Sequence, residues 1–148
     1  MNQQREQVIS QLEKLLASSY TLYLKTHNYH WNVTGPMFTT LHGLFEEQYT
    51  DLALAVDEIA ERIRALDARA PGSYSEFAKL SAINEDTGSP AATDMIGNLV
   101  SDQSVIADIT RDLIEAAEAI PDAATADLAT RRMDVHQKNA WMLRSHLE

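Results

Sequence analysis

Residues 30–62, HWNVTGPMFTTLHGLFEEQYTDLALAVDEIAER, decide how the chain is read. Among the metal-capable side chains of this stretch, His30, His42, Glu46, Asp57 and Glu61 fall into a pattern. Pro36 cannot sit inside a helix, and Gly35 before it favours a turn. His30 therefore closes one helix, and the other four ride on the next. On that second helix 42→46 and 57→61 are i,i+4 pairs, so each pair shares a face. The step from Glu46 to Asp57 is close to three whole turns, which puts both pairs on one stripe. Thr50 and Ala53 lie between them, so the stripe is polar with small residues at its middle.

Helix geometry then limits what the stripe can bind. At about 1.5 Å rise per residue, His42 and Glu61 stand roughly 28 Å apart, and Glu46 and Asp57 roughly 16 Å. Metal–ligand bonds are only about 2.0–2.6 Å long. One helix cannot wrap all four residues round one ion. Either the chain carries two half-sites, or a second copy of the helix lies antiparallel across a two-fold axis. The second arrangement brings one subunit's histidines to the other's acids, twice by symmetry. It is the reading adopted here.

The length of 148 residues suits a single domain, 1–148, with one sizeable core. Five glycines and four prolines are few, which favours long uninterrupted helices. There is no cysteine, so disulfides, thiolate catalysis and Cys-based metal sites are excluded. The polar start MNQQREQVIS has no apolar core of a leader, and no run approaches a membrane span, so a soluble, cytoplasmic protein without membrane contact is expected. The net charge of −10 does not advertise a nucleic-acid footprint but suits attraction of cations.

Residues 4–32 read as an amphipathic helix with Val8, Leu12, Leu15, Leu16, Ser19, Leu22, Tyr23 and Thr26 on its inner stripe. His27 is given no role. A second helix is expected from Phe38 to Ala68, with Leu41, Leu44, Phe45, Leu52, Val56, Ile59, Ile63 and Leu66 inward and Pro71-Gly72 as its stop. Ser73 with Glu76 forms a capping-box pattern for a two-turn helix burying Phe77, Leu80 and Ile83. Ser89 as cap and Pro90 as first helical residue open a helix reaching Ile120, with Met95, Leu99, Val105 or Ile106, Ile109, Leu113 and Ile114 inside. Gly97 in its middle has no explanation at this level. The last helix spans Thr125 to Leu147 with a blurred period that includes Leu128, Met133, Val135, Ala140, Trp141 and Leu143. The expected fold is all-α: a ferritin-like four-helix bundle with a short helix in the long crossover between helices two and three.

Taken singly, Glu46, Asp57 and Glu61 read as a solvated acidic face, and His30 as a core or capping histidine. Together, two imidazoles and three carboxylates suit Fe(II), Mn(II) or Zn(II). No dinucleotide fingerprint, P-loop or G-x-S-x-G elbow is present. No Glu is followed three residues later by His, which argues against a di-iron site inside one bundle and for one shared across an interface. Trp31, from packing alone, reads as a core residue at a helix end.

The pattern H-W-N-V, F-T-T-L-H-x-x-F-E and D-E-I-A-E-R strongly resembles the Dps family of mini-ferritins, and the likeness runs over nearly the whole chain to A-W-M-L near its end. The resemblance implies a homododecamer, a hollow shell of tetrahedral 23 symmetry, with ferroxidase sites at the two-fold interfaces. There Fe(II) is oxidised mainly by hydrogen peroxide, with oxygen the lesser oxidant, and stored as ferric mineral. It implies that Asp57 and Glu61 of one subunit with His30 of its neighbour hold the tighter iron, and His42 with Glu46 the second, two irons per site; Zn or Mn are possible substitutes. It also implies Trp31 and Trp141 as radical traps, and Glu118, Asp122 and Asp127 as candidates for a three-fold iron-entry pore, although Asp122 or Thr125 equally reads as a helix cap.

Two features depart from the family pattern. Glu46 stands where the family commonly has Asp, which puts the second metal's geometry in question. DNA-binding members often carry a Lys-rich tail, whereas residues 1–14 here contain only Arg5 and Lys14 against Glu6 and Glu13. Weak or absent DNA binding is therefore expected. The competing reading is a DNA-compacting stress protein with a secondary metal site; a third is a shell whose site is unused or serves zinc or manganese.

Overall fold

The computed structural model describes residues 2–148. The elements are α1 (Gln3–Asn32), α2 (Phe38–Ala65), α3 (Tyr74–Leu80), α4 (Ala92–Ala119) and α5 (Ala123–Arg144), with no strand among the described residues. Short connections make α1–α2 and α4–α5 antiparallel pairs, and the crossover carrying α3 joins α2 to α4, giving a ferritin-like four-helix bundle.

Helices α1, α2 and α4 bury the apolar stripes their periodicity predicts. Leu12, Leu15 and Leu22 of α1, Leu41, Leu52 and Ile63 of α2, and Leu99, Ile106 and Leu113 of α4 are fully buried in one core. The Ser73 cap of α3 forms as read, its hydroxyl accepting from the Glu76 N–H while the Glu76 carboxylate accepts from the Ser73 hydroxyl at 2.8 Å. Phe77 and Ile83 anchor this crossover in the core.

Four boundaries differ from the expectation by two or more residues. α2 stops at Ala65 rather than Ala68, because Asp67 takes a left-handed φ of 63° that breaks the helix ahead of Pro71-Gly72. α4 starts at Ala92, not at Ser89-Pro90, and its N-cap Ala91 offers no side-chain bond. Upstream, Asp86 accepts from Gly88 N–H and from the Tyr29 hydroxyl, fastening that segment to α1 in an extended approach. α5 starts at Ala123, capped by Asp122, and ends at Arg144, short of Leu147.

The inner face of α5 is also different. Trp141, expected inside, is 58% exposed, and Met133 and Val135 are only half-buried. Arg132 and His136 take the interior instead. His136 Nδ1 bonds Gln103 Oε1 at 2.6 Å, and its Nε2 accepts from Arg132, whose guanidinium also grips Asp51 of α2 through two bonds. A second polar tie, Lys25 to Asp102 at 2.8 Å, joins α1 to α4 near the crossover, where Lys25 also donates to the Asn84 carbonyl.

Candidate metal centre

The turn after α1 determines the site. Gly35 adopts φ 102°, a conformation open to glycine, and its carbonyl accepts from Phe38 N–H to start α2. This reversal lays the first turns of α2 against the last turn of α1. His30, His42 and Glu46 come together there, one ligand atom of each lying within 4.8 Å of the others. His30 Nε2 stands 4.0 Å from Glu46 Oε1.

The two histidines lock each other. His30 Nδ1 bonds the His42 carbonyl at 2.7 Å, and His42 Nδ1 bonds the His30 carbonyl at 2.7 Å. A carbonyl can only accept, so each Nδ1 carries the proton and each Nε2 keeps its lone pair for a ligand. The rings stack with centroids 3.7 Å apart. Histidines that ligate metals are oriented in this way, by an N–H to a backbone carbonyl on the far side of the ring.

The cluster lies at the surface: His30 is buried, His42 half-buried and Glu46 exposed. Asp57 and Glu61 are exposed farther along α2 and outside it, as the helical rise requires. Neither makes an ion pair or side-chain hydrogen bond among the described residues. The structure thus brings together three of the five expected ligands and leaves the acid pair facing outward.

Two residues that the sequence left without a role border the cluster. Tyr49 meets His30 edge-on at 5.1 Å, and His27 stacks between Tyr49 at 4.2 Å and Trp31 at 3.9 Å. Burial, then the nearby His30, pushes the His27 pKa down. Their spacing was a usable signal, since His27 is three residues from His30 and Tyr49 three from Glu46, each on its neighbour's helix face. Trp31 is corrected from core to surface: it is 58% exposed, covered on one side by His27. Trp141 makes no ring contact with the cluster.

Of the acidic residues read as pore candidates, Asp122 is engaged as a cap. It accepts from the Thr125 N–H at 3.1 Å and pairs with Arg62 of α2 at 3.1 Å. Burial raises its pKa, but the Thr125 bonds and Arg62 outweigh this and hold it below the usual range. Asp127 pairs with Arg131 at 3.0 Å, and Glu118 is exposed with no ion pair among the described residues.

A family model described as a ferritin-like domain matches residues 9–148. The DNA protection during starvation protein 2 of Bacillus anthracis is 37% identical over 96% of this chain and 97% of its own length. The crystal structure of the DPS protein from Vibrio cholerae O1 superposes with a TM-score of 0.93 at 37% identity, covering 98% of this chain and 91% of that one. The chain belongs to the Dps family. A low-temperature-induced protein of Nostoc sp. is similar too, 42% identical over 99% of this chain and 83% of its own. Within this Dps chain, the two lone pairs of the histidines and the oxygens of Glu46 form a mixed nitrogen–oxygen donor set suited to first-row divalent metals.

Proposed function

We propose that this Dps protein is a ferroxidase and iron-storage protein, working in the cytoplasm as a homododecamer of tetrahedral symmetry that protects against oxidative damage. The observation that carries the reading is the half-site: three candidate ligands gathered at 30, 42 and 46, and carboxylates at 57 and 61 of α2 that have no ion pair among the described residues. Two-fold pairing of α2 completes it. Membership of the Dps family supports it, as does the Vibrio cholerae relative, described as one of the ferritin-like diiron-carboxylate proteins.

Fe(II) is the substrate. His30 of one subunit with Asp57 and Glu61 of its neighbour holds the first ion; His42 and Glu46 hold the second. Each Fe(II) gives one electron to a hydrogen peroxide shared between them. Two protons complete the conversion to two waters, so no hydroxyl radical is released. The Glu46 carboxylate, one methylene longer than an Asp, reaches within 4.0 Å of His30 Nε2, which favours direct ligation. The same donors accept Zn(II) or Mn(II) as substitutes. Ferric product collects in the shell's cavity, and Asp127 and Glu118 are the pore candidates least committed to bonds within the bundle.

The test is anaerobic addition of Fe(II) followed by substoichiometric peroxide, with the ferric absorbance recorded for wild type and Glu61→Ala after light scattering shows equal assembly. Rapid oxidation of two Fe(II) per peroxide in wild type, strongly slowed in the variant, supports the shared site. Equal rates would reduce the acid pair to a solvated face.

A further inference from the structure

Four of the chain's five tyrosines lie in one continuous line of aromatic contacts. It starts at the metal half-site, where Tyr49 meets His30 at 5.1 Å. Tyr49 touches Tyr23 at 6.0 Å, Tyr23 touches Tyr20 at 5.8 Å, and Tyr20 touches Tyr74 at 6.3 Å. The line then arrives at the other half-site: Tyr20 and Tyr74 line one recess together with Ala53 and Asp57 of α2. The line therefore runs beside α2 from its histidine end to its acid end. The fifth tyrosine, Tyr29, behaves differently. It is buried and its hydroxyl is held by Asp86 and Asn98.

Packing alone does not call for four phenols. None of Tyr20, Tyr23, Tyr49 and Tyr74 is fully buried, and Tyr74 is 75% exposed. Phenylalanine would supply the same ring contacts. What the hydroxyl adds is chemistry, since a phenol gives up an electron and a proton far more readily than a phenyl ring. Adjacent rings in contact pass an electron without crossing solvent.

We infer that Tyr49, Tyr23, Tyr20 and Tyr74 form a redox relay joining the two half-sites of one chain, which in the assembled pair belong to two different ferroxidase sites. The inference rests on the ferroxidase reading above. It acts when a site holds a single Fe(II). That ion reduces peroxide by one electron, giving Fe(III), hydroxide and a hydroxyl radical. Tyr49 gives the radical a hydrogen atom, forming water and a phenoxyl. An electron then moves from Tyr23 to Tyr49, and onward from Tyr20 and Tyr74, each newly oxidised phenol losing its proton to solvent and each reduced phenoxyl regaining one. Fe(II) held at the acid end supplies the last electron. The sum is two Fe(II), one peroxide and two protons giving two Fe(III) and two waters, with the electrons drawn from separate sites. Trp31 lies off this line, its ring contact among the described residues being with His27.

The test uses assembled protein loaded anaerobically with one Fe(II) per subunit and then given one peroxide per two irons. Wild type, Trp31→Phe and Tyr23→Phe are compared by freeze-quench EPR and by the ferric absorbance. Tyr23→Phe keeps the ring and removes only the link; Tyr20→Phe serves the same purpose if Tyr23→Phe weakens assembly. The expected result is a short-lived tyrosyl signal in wild type and Trp31→Phe, and in Tyr23→Phe a tyrosyl signal that stalls on Tyr49 and persists several-fold longer, with incomplete Fe(II) oxidation. Equal tyrosyl lifetimes and complete oxidation in the tyrosine variants, with ferroxidase activity intact, would overturn the relay alone. Wild type that fails to oxidise Fe(II) with peroxide would overturn the ferroxidase reading and the relay with it.

Discussion

His30 and His42 each donate the Nδ1–H of one ring to the backbone carbonyl of the other at 2.7 Å, a reciprocal lock between the end of α1 and the start of α2. The His30 carbonyl lies in the last turn of α1, where no helical N–H follows to claim it, so the His42 ring supplies a hydrogen-bond partner as well as a candidate ligand. His42→Ala should therefore do two things. Affinity for Co(II) or Zn(II), measured by titration of the assembled protein, should fall by at least about 10–100-fold, the loss typical even of an orienting partner. Amide exchange around residues 33–37 should quicken. Unchanged affinity would show that the histidines only brace the turn.

If the centre is shared, inactive subunits should rescue one another. A double variant His30→Ala/His42→Ala lacks the nitrogen ligands, and Asp57→Asn/Glu61→Gln lacks the charged oxygens. Each assembly alone should oxidise Fe(II) slowly. Dissociated and reassembled together, the mixed pairs contain one site with every ligand and one with almost none. Activity should reappear in proportion to the mixed pairs formed. A mixture no faster than its components would place the reaction inside single chains.

The histidine–acid pattern was legible because its determinants are local. Gly35-Pro36 forces the reversal, and the i,i+4 spacings on α2 sort the candidate ligands into two pairs without any tertiary information. The inner face of α5 was not legible, because Arg132 and His136 are polar residues made interior by partners far away in sequence, Asp51 and Gln103. Their burial breaks the apolar period that a sequence reading follows. Trp31 failed for the opposite reason: a large ring suggests burial, yet it rests on His27 at the surface.

The buried His136 predicts an acid sensitivity. Burial, and then the charge on Arg132, push its pKa down to about 3 in the folded chain, against 6.5 for the unperturbed group. The unfolded chain therefore binds a proton that the folded chain refuses. The contribution to stability is whole above pH 6.5 and is lost progressively as pH falls toward 3, amounting to roughly 5 kcal/mol at the limit. Urea unfolding followed between pH 7 and pH 4 should show His136→Gln losing less stability than wild type over that interval. Parallel losses would mean that the ring is protonated without penalty.

Gly97 offers a stabilising change. It sits inside α4, exposed, and a Cβ built there meets nothing within 4 Å. Glycine in a helix interior costs about 1 kcal/mol relative to alanine. Gly97→Ala should stabilise the folded subunit by about that amount, seen as a higher urea midpoint. A destabilised or incompletely assembled variant would instead place a neighbouring subunit's backbone against this face of α4.

DNA binding should be weak. Arg5 and Glu6 lie within α1, in its first turns after the Asn2 cap. Arg5 is engaged as well, donating to the Leu66 carbonyl and lying 3.8 Å from Asp67. The net charge of −10 per subunit opposes a phosphate backbone, whose binding depends on clustered cations releasing counterions. Supercoiled plasmid at low salt and neutral pH, without added metal, should migrate unshifted with near-stoichiometric assembled protein. Adding a divalent cation should produce retention if acidic surfaces and phosphates are bridged, and chelation should reverse it. Retention without metal would mean that a local basic patch outweighs the net charge, and Lys-to-Gln substitutions on the surface would then find it.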